Sequence, residues 1–578
     1  MNPRFHFLVL ALVGFSMGLH AQPNIIIVMP DDMGYGDVGA TGNEVIRTPN
    51  LDRLAAEGAE LTDFYVSPVC SPTRACLMTG RYNFRTRCID TFKGRSMMEP
   101  DEFTMAEMLR EAGYATGIFG KWHLGDNYPM RPQDQGFDEV LIHRGGGLAQ
   151  PSEPIENEQR YTDPILFENG KQVTKKGYCT DIYFDGAIEF MEEARQAGRP
   201  FFAYIPPNAP HGPYHDVPEE LLEYYQSIDL SPILNGNESE KHVDTVARVF
   251  AMVENIDENM GKLDAYLKES GQFKNTLVMF FTDNGPNTMR YVGPFRGMKS
   301  HVHEGGIRTM FYARWPEALE AGAKSDRLAA HIDLMPTIME IAGFKKPDEL
   351  QIDGRSVLPL LKGEKGAWPD RTLFIQAHRG NKPVEFHHFA VREQDWKLVR
   401  GTGFGNESIK DPLPFELYQI SEDPGEKNDL AGEMPEKVKD MKAAYREWLA
   451  DVSSTRPENY APPRTVIGDE SQAVTDLSIQ DWRVPSDVTG WGSSGIWKLL
   501  VATEDRYTAT VRWATPIGER EVTLNVNGKR HTGTLGEGSS VVTFSNLKLE
   551  AGEADLSVEV SGKISRDEML RFVTIERH

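Results

Sequence analysis

Apolar residues alternate between two textures along the first 340 or so residues of this chain. Short apolar runs occupy residues 24–30 (NIIIVMP), 200–206 (PFFAYIP) and 276–281 (TLVMFF), and the more mixed stretches 60–65 and 114–119 also read as strands, five in all. A run of this length, bounded by turn residues, predicts a strand buried on both faces. Between the runs lie segments with apolar positions at helical spacing: 48–58, opened by Thr48 and stopped by Gly58, then 101–111, 181–197, 242–270 and 331–342. Gly261 marks a candidate irregularity in the long fourth helix. Strands alternating with helices predict an α/β unit, a mainly parallel sheet with helices on both faces.

The pattern then changes. Residues 386–399 and 415–420 read as antiparallel strands, with a helix over 437–452 to cover them, a small α+β subdomain. Residues 456–466 are polar and proline-rich, as in a linker. From 476 onward, short alternating segments (507–513, 521–526, 540–544) sit between Gly, Asn and Pro turns, and Asn527-Gly528 is a hairpin signal. This predicts an appended all-β sandwich. Trp482, Trp491, Trp497 and Trp513 would make either its core or a sugar-binding platform. Residues 143–176, rich in Gly, Pro and charge, predict a long surface excursion. The divisions expected are 1–21, a leader; 22–370, the α/β domain; 371–455, the antiparallel subdomain; 456–470, a linker; and 471–578, the β sandwich.

The leader has Arg4, an apolar stretch over 5–19 and a cleavage site at Leu19-His20-Ala21, the marks of a secretory signal. Export to the periplasm or the medium is expected, with no integral membrane segment after its removal. With 578 residues the chain is too long for one small core. A formal charge of −24, from 62 basic and 86 acidic residues, argues against nucleic-acid or anionic-membrane partners. Any anion site must then be a local basic pocket.

Candidate chemistry clusters where strands end. Asp31-Asp32 follow the first run, and Thr282-Asp283-Asn284-Gly285 follow the fifth. Adjacent carboxylates repel unless a positive charge lies between them. Either one caps a turn and the other is solvated, or they hold a cation outside the carboxyl end of the sheet. Without a His or Cys pair at zinc spacing, such an oxygen set prefers Ca²⁺ or Mg²⁺. Lys121 and His123, at i and i+2 after the third strand, would point the same way if the segment is extended. They are a solvated Lys and a structural His, or a convergent pair. His211 sits in a loop fixed by prolines (PPNAPHGP) and is an acid/base candidate or a packing residue. Cys70, in PVCSPTRACLMTGR, stands at a candidate helix start, where the helix dipole favours an anion. As a bare motif it suits a buried thiol better.

Four separate stretches, in order, resemble the type I sulfatases, of the alkaline phosphatase-like superfamily. They are Cys70, Pro72, Arg74 and Leu77–Arg81 of the Cys-x-Pro-Ser-Arg hallmark, with Thr73 in place of Ser; Gly120-Lys121-Trp122-His123-Leu124-Gly125; the Pro-His-x-Pro loop at His211; and Arg296-Gly-Met-Lys299 with Glu304-Gly305-Gly306. The resemblance spans about residues 24–452. It implies that Cys70 is oxidised to formylglycine by a formylglycine-generating or an anaerobic sulfatase-maturating enzyme, and that Ca²⁺, with Mg²⁺ less favoured, is held by Asp31, Asp32, Asp283, Asn284 and modified Cys70. A hydrated aldehyde attacks sulfur with one hydroxyl and expels sulfate with the other. Lys121 and Lys299 would bind sulfate oxygens, Arg74 would stabilise the nucleophile, His211 (or Lys299) would protonate the leaving oxygen, and His123 would take the last proton. The activity implied is hydrolysis of sulfate esters, with a sulfated poly- or oligosaccharide as substrate. The alternatives are a phosphonate monoester or phosphodiester hydrolase of the same superfamily, or an inactive carbohydrate-binding relative. With Cys70 consumed, Cys76, Cys88 and Cys179 leave at most one disulfide; Cys76–Cys88 is one candidate, which spacing does not settle.

Overall fold

The computed structural model describes residues 22–578 except 149, 365, 367, 411–412, 457–461, 485–493, 564 and 566–567. The expected leader and Trp491 lie outside the described residues.

The strand Asn24–Val28 runs through the middle of a ten-stranded sheet, parallel to Phe201–Ile205 on one side and Thr276–Phe281 on the other. Ala115–Lys121 and Glu139–His143 extend the parallel part. Both margins turn antiparallel, through Phe311–Arg314 at one and the hairpin Ile165–Glu168/Lys171–Thr174 at the other. The first strand explains why its apolar run is unbroken. Ile26 and Val28 enter one core and Ile25, Ile27 and Met29 the other. Each such side chain, once fully buried, contributes roughly 1.5–3 kcal/mol. Helices Cys179–Gln196 and Glu240–Glu269 cover the first face, Cys70–Thr79 and Leu334–Ala342 the second.

Local chemistry refines several expectations. The second helix is only Met105–Glu111, because Thr104 and Glu107 close a reciprocal capping box there. The helix Pro49–Glu57 is opened not by the Thr48 hydroxyl but by Asp257, whose carboxylate accepts from the backbone N–H of Asn50 (3.0 Å) and Leu51 (2.7 Å). The long helix passes Gly261 unbroken; a Cβ there would lie 2.9 Å from the Asn50 amide, so the glycine serves close packing. Residues 60–65 form two short strands, Ala59–Leu61 and Phe64–Tyr65, in different sheets. The stretch 143–176 is not simply a surface excursion. It holds the marginal hairpin, and Gly145–Leu148 and Pro151–Glu153 are buried.

Four antiparallel strands (Leu373–Gln376, Phe389–Arg392, Trp396–Arg400, Glu416–Gln419) pack on the helix Pro435–Ser453 through Tyr445 and Trp448. Thr465–Ile467, within the proline-rich stretch, is already a strand of the C-terminal β unit. That unit comprises a five-stranded and a four-stranded sheet around one core. Asn527 (φ 49°) and Gly528 (φ 79°) turn the hairpin Arg520–Val526/Lys529–Leu535 as expected. Trp482, Trp497 and Trp513 are buried in this core, so they form no exposed sugar platform. All four cysteines are buried and free.

Candidate active site

The carboxyl ends of four neighbouring parallel strands converge. They deliver Asp31-Asp32, Lys121 to His123, Asn208 to His211, and Asp283-Asn284, all at the place where open α/β sheets bind ligands. Cys70 opens a helix whose ten residues are all buried. Candidate ligand atoms of Asp31, Cys70 and Asp283 lie within 4.8 Å of one another.

A dense polar lattice holds this cluster. Arg74 donates to Asp283 Oδ2 (2.7 Å) and to the Lys121 carbonyl (2.8 Å), which ties two strand ends to the Cys70 helix. Thr73 closes the same joint: its hydroxyl donates to the Asp283 carbonyl (2.7 Å) and accepts from Ser67 N–H (3.0 Å). Lys121 pairs with Asp31 Oδ2 and Lys299 with Asp32 Oδ1, which also accepts from the Asn284 amide (2.9 Å). His211 Nε2 is 3.7 Å from Asp32 Oδ2. Asp32, His123 and Ser300 adopt left-handed backbone (φ 67°, 58° and 68°), a strained choice for residues other than glycine. The chain therefore leaves extended geometry after Lys121, and the simple i, i+2 alternation expected for Lys121 and His123 does not hold. Gly305 and Gly306 are needed to close the Lys299 loop, since a Cβ on Gly306 would lie 2.1 Å from the His301 carbonyl.

Within the lattice Asp31 Oδ1, Asp32 Oδ2 and Asn284 Oδ1 are buried without hydrogen-bond partners. Unpartnered buried carboxylate oxygens are costly. Hard oxygen donors converging in this way suit a divalent cation such as Ca²⁺. Of the residues expected to hold the ion, Asp31, Asp32 and Asn284 therefore fit it, and Asp283 and Cys70 lie in the same cluster.

The electrostatics follow from burial and charge. Burial would raise Asp31, but Lys121, His211, Lys299 and Arg74 together hold it well below the usual carboxylate range. Asp283 is raised by burial and by Asp31, with Arg74 opposing. Burial pushes the Cys70 thiol up despite the two lysines. Burial, reinforced by Lys121, keeps His123 neutral far below its ordinary range. His211 is lowered by burial, with Asp32 opposing.

Other residues emerge only in three dimensions. Asn208 is fully buried with both polar side-chain atoms unpartnered, at the start of the His211 loop. Glu304, from the last of the four hallmark stretches, accepts from Lys397 (2.9 Å) and Tyr65 (2.7 Å) in a buried ion-pair cluster. His303 lies 3.6 Å from Glu416, outside the convergence of strand ends. A cavity of about 640 Å³ adjoins the Lys299 loop, lined by Met298, Ser300, His301, Phe295 and Phe404.

Such strand ends, gathered round a buried cysteine and paired acids, define a hydrolytic α/β enzyme of the alkaline phosphatase-like superfamily. The sulfatase family model matches residues 23–344, and the model for the C-terminal part of N-sulphoglucosamine sulphohydrolase matches 297–454. The chain belongs to the type I sulfatase family and is a sulfuric ester hydrolase. It is 31% identical to the N-acetylgalactosamine-6-sulfatase of Canis lupus familiaris, over 83% of this chain and 93% of that protein. It is 27% identical to the N-acetylglucosamine-6-O-sulfatase of Bacteroides thetaiotaomicron, over 79% and 92%. Among solved structures it resembles Ps i-CgsB in complex with k-i-k-neocarrahexaose (TM-score 0.65, 30% identity, 75% of this chain and 94% of that one). The β unit from Thr465 onward lies beyond both family models.

Proposed function

We propose that this enzyme hydrolyses sulfate esters of a sulfated saccharide, using formylglycine made from Cys70 and a Ca²⁺ ion held by Asp31, Asp32, Asp283 and Asn284. The observation that carries this reading is the meeting of Asp31, Cys70 and Asp283 in one buried cluster beneath Lys121 and Lys299. A thiol raised by burial is a poor nucleophile, which favours chemistry by another form of the residue. Oxidised and hydrated, residue 70 would offer two hydroxyls, one as a nucleophile toward sulfur and one able to give up the proton whose loss lets sulfate leave. A cation held by Asp31, Asp32, Asp283 and Asn284 would add positive charge to that of the lysines.

The chain's own groups do the rest. Lys121 and Lys299 bind and neutralise sulfate oxygens. Arg74 keeps Asp283 in place and ties the Cys70 helix to the strand end at Lys121. His211, in its proline-bounded loop, gives a proton to the departing sugar oxygen, and neutral His123 accepts one from residue 70. Cys70 is only 2% exposed, so its maturation must precede folding around it. That order suits a maturating enzyme acting on the unfolded chain, and the expected leader suits export.

The cavity beside Lys299 gives the alcohol part of a substrate room to extend. The sugar names carried by the relatives and the saccharide held by the solved neighbour support a carbohydrate ester. Release of sulfate from a panel of defined sulfated mono- and oligosaccharides tests this. Turnover of at least one is expected; failure on every sugar alongside turnover of simple aryl sulfates would overturn the carbohydrate assignment.

A further inference from the structure

The β unit does not merely follow the catalytic domain in sequence; one of its turns enters the active site. After the strand Val474–Ser478 the chain folds back over residues 478–481. The Ser478 hydroxyl accepts from Gln480 N–H (3.1 Å), and its carbonyl accepts from Asp481 N–H (3.2 Å) and from the Trp497 indole (2.7 Å). The turn seats on the catalytic domain. Gly94 N–H donates to the Gln480 carbonyl (3.0 Å), and a Cβ on Gly94 would lie 2.8 Å from the Asp481 carbonyl. Ser478 and Ser152 share a hydroxyl hydrogen bond at 2.8 Å. Farther along the seam Tyr128 N–H donates to Gln472 (2.7 Å) and Arg571 donates to the Glu153 carbonyl (3.1 Å).

Gln480, 1% exposed, ends on His123. Its amide nitrogen donates to the Thr91 carbonyl (2.6 Å) and lies 3.3 Å from His123 Nε2, which is itself 2.9 Å from that carbonyl. A carbonyl oxygen only accepts, so His123 Nε2 must carry hydrogen. Turning the Gln480 amide over would set its oxygen against the Thr91 oxygen, so the contact selects the donor. Both lone pairs of the Thr91 carbonyl are then used. The other ring nitrogen, Nδ1, is buried and without a partner, ready to accept. Gly146 permits this placement, since a Cβ there would lie 2.4 Å from the ring.

We propose that the C-terminal β domain completes the active site, and that Gln480 is a positioning residue: it anchors the Thr91 carbonyl, the acceptor that holds His123 in the Nε2–H tautomer. The inference rests on the reading of His123 as proton acceptor. Its occupant is internal: a side chain of the accessory domain, not a separate glycan ligand.

A double-mutant cycle on the full-length enzyme tests it, with the sulfate ester turned over fastest as substrate and formylglycine content and melting temperature recorded for each variant. Gln480→Ala should lower kcat about tenfold and move KM less than about twofold, since a positioning group acts on the proton transfer and not on binding. Gln480→Met, close in size but unable to donate or to accept from the Nε2–H, should do the same while remaining folded. In a His123→Ala background the Gln480→Ala cost should fall below about twofold. ¹⁵N spectra of the imidazoles should show the Nε2–H form of His123 in wild type and a mixture in Gln480→Ala. Equal losses in both backgrounds, a rise in KM alone, or an unchanged tautomer would overturn the proposal. Full activity of His123→Ala would instead overturn the reading of His123. An impaired His123→Ala beside a fully active Gln480→Ala would overturn only the role of Gln480.

Discussion

Arg74 and Asp283 form a wholly buried ion pair at 2.7 Å, and the same guanidinium also holds the carbonyl of Lys121. One side chain thus joins the Cys70 helix to the ends of two strands. Arg74→Ala strands Asp283 in a dry interior without its partner. A cost of about 3–5 kcal/mol is expected, as for other buried pairs broken from one side. Denaturant unfolding should show it, with turnover lost under conditions where the variant is folded. Arg74→Lys, able to keep the charge but not both hydrogen bonds, should fall between.

Glu304 carries a second buried network. Burial alone would raise its carboxyl, but Lys397, Arg392 and Arg308 hold it well below the usual range. A carboxyl with a depressed folded value adds stability that is fully present above its unfolded value of about 4.3 and is lost as pH falls toward the folded one. Wild-type stability should therefore drop steeply below about pH 4. Glu304→Gln should be less stable by about 3 kcal/mol at neutral pH, with a shallower acid dependence. Melting curves between pH 3 and 7 check both.

Asp481, beside the Gln480 turn, is the opposite case. Burial raises its carboxyl well above the usual range, and Asp126 adds to this while Arg144 opposes it. A raised folded value means the native state prefers the neutral acid, so a penalty grows as pH rises through the unfolded value of about 3.9. Asp481→Asn removes that penalty. A gain of about 1 kcal/mol in stability is expected at pH 7, vanishing near pH 4. An equal gain at both pH values would show that charge is not the cause.

The parts of this architecture that strands deliver were legible in the sequence. Ile25–Ile27 needed no polar face because both sides of the sheet are covered, so the run announced a central strand, and Asp31-Asp32 had to emerge at its end. Asp283-Asn284 repeated the logic one strand over. The parts made by distant contacts were not legible. Nothing local to Glu304 foretold Lys397, 93 residues on. Gln480 sits 357 residues from His123, in a turn whose sequence carries no catalytic motif. The left-handed backbone of His123 also escaped a reading based on strand alternation, because the tertiary lattice imposes it.

The orphaned oxygens of Asp31, Asp32 and Asn284 set an expectation for metal removal. Chelation should abolish turnover and lower the melting temperature, and Ca²⁺ should restore both. At a hundredfold excess over its dissociation constant, a bound ion adds about 2.7 kcal/mol. Asn284→Ala should weaken this response without unfolding the protein.

Mass analysis of the peptide spanning Pro68–Arg81, from enzyme of known specific activity, tests the central claim most directly. The account predicts that residue 70 has the mass of an aldehyde in place of a thiol, in a fraction that tracks activity across preparations, and that Cys70→Ala is folded and inert. Full activity in a preparation whose residue 70 is entirely unmodified cysteine would contradict it.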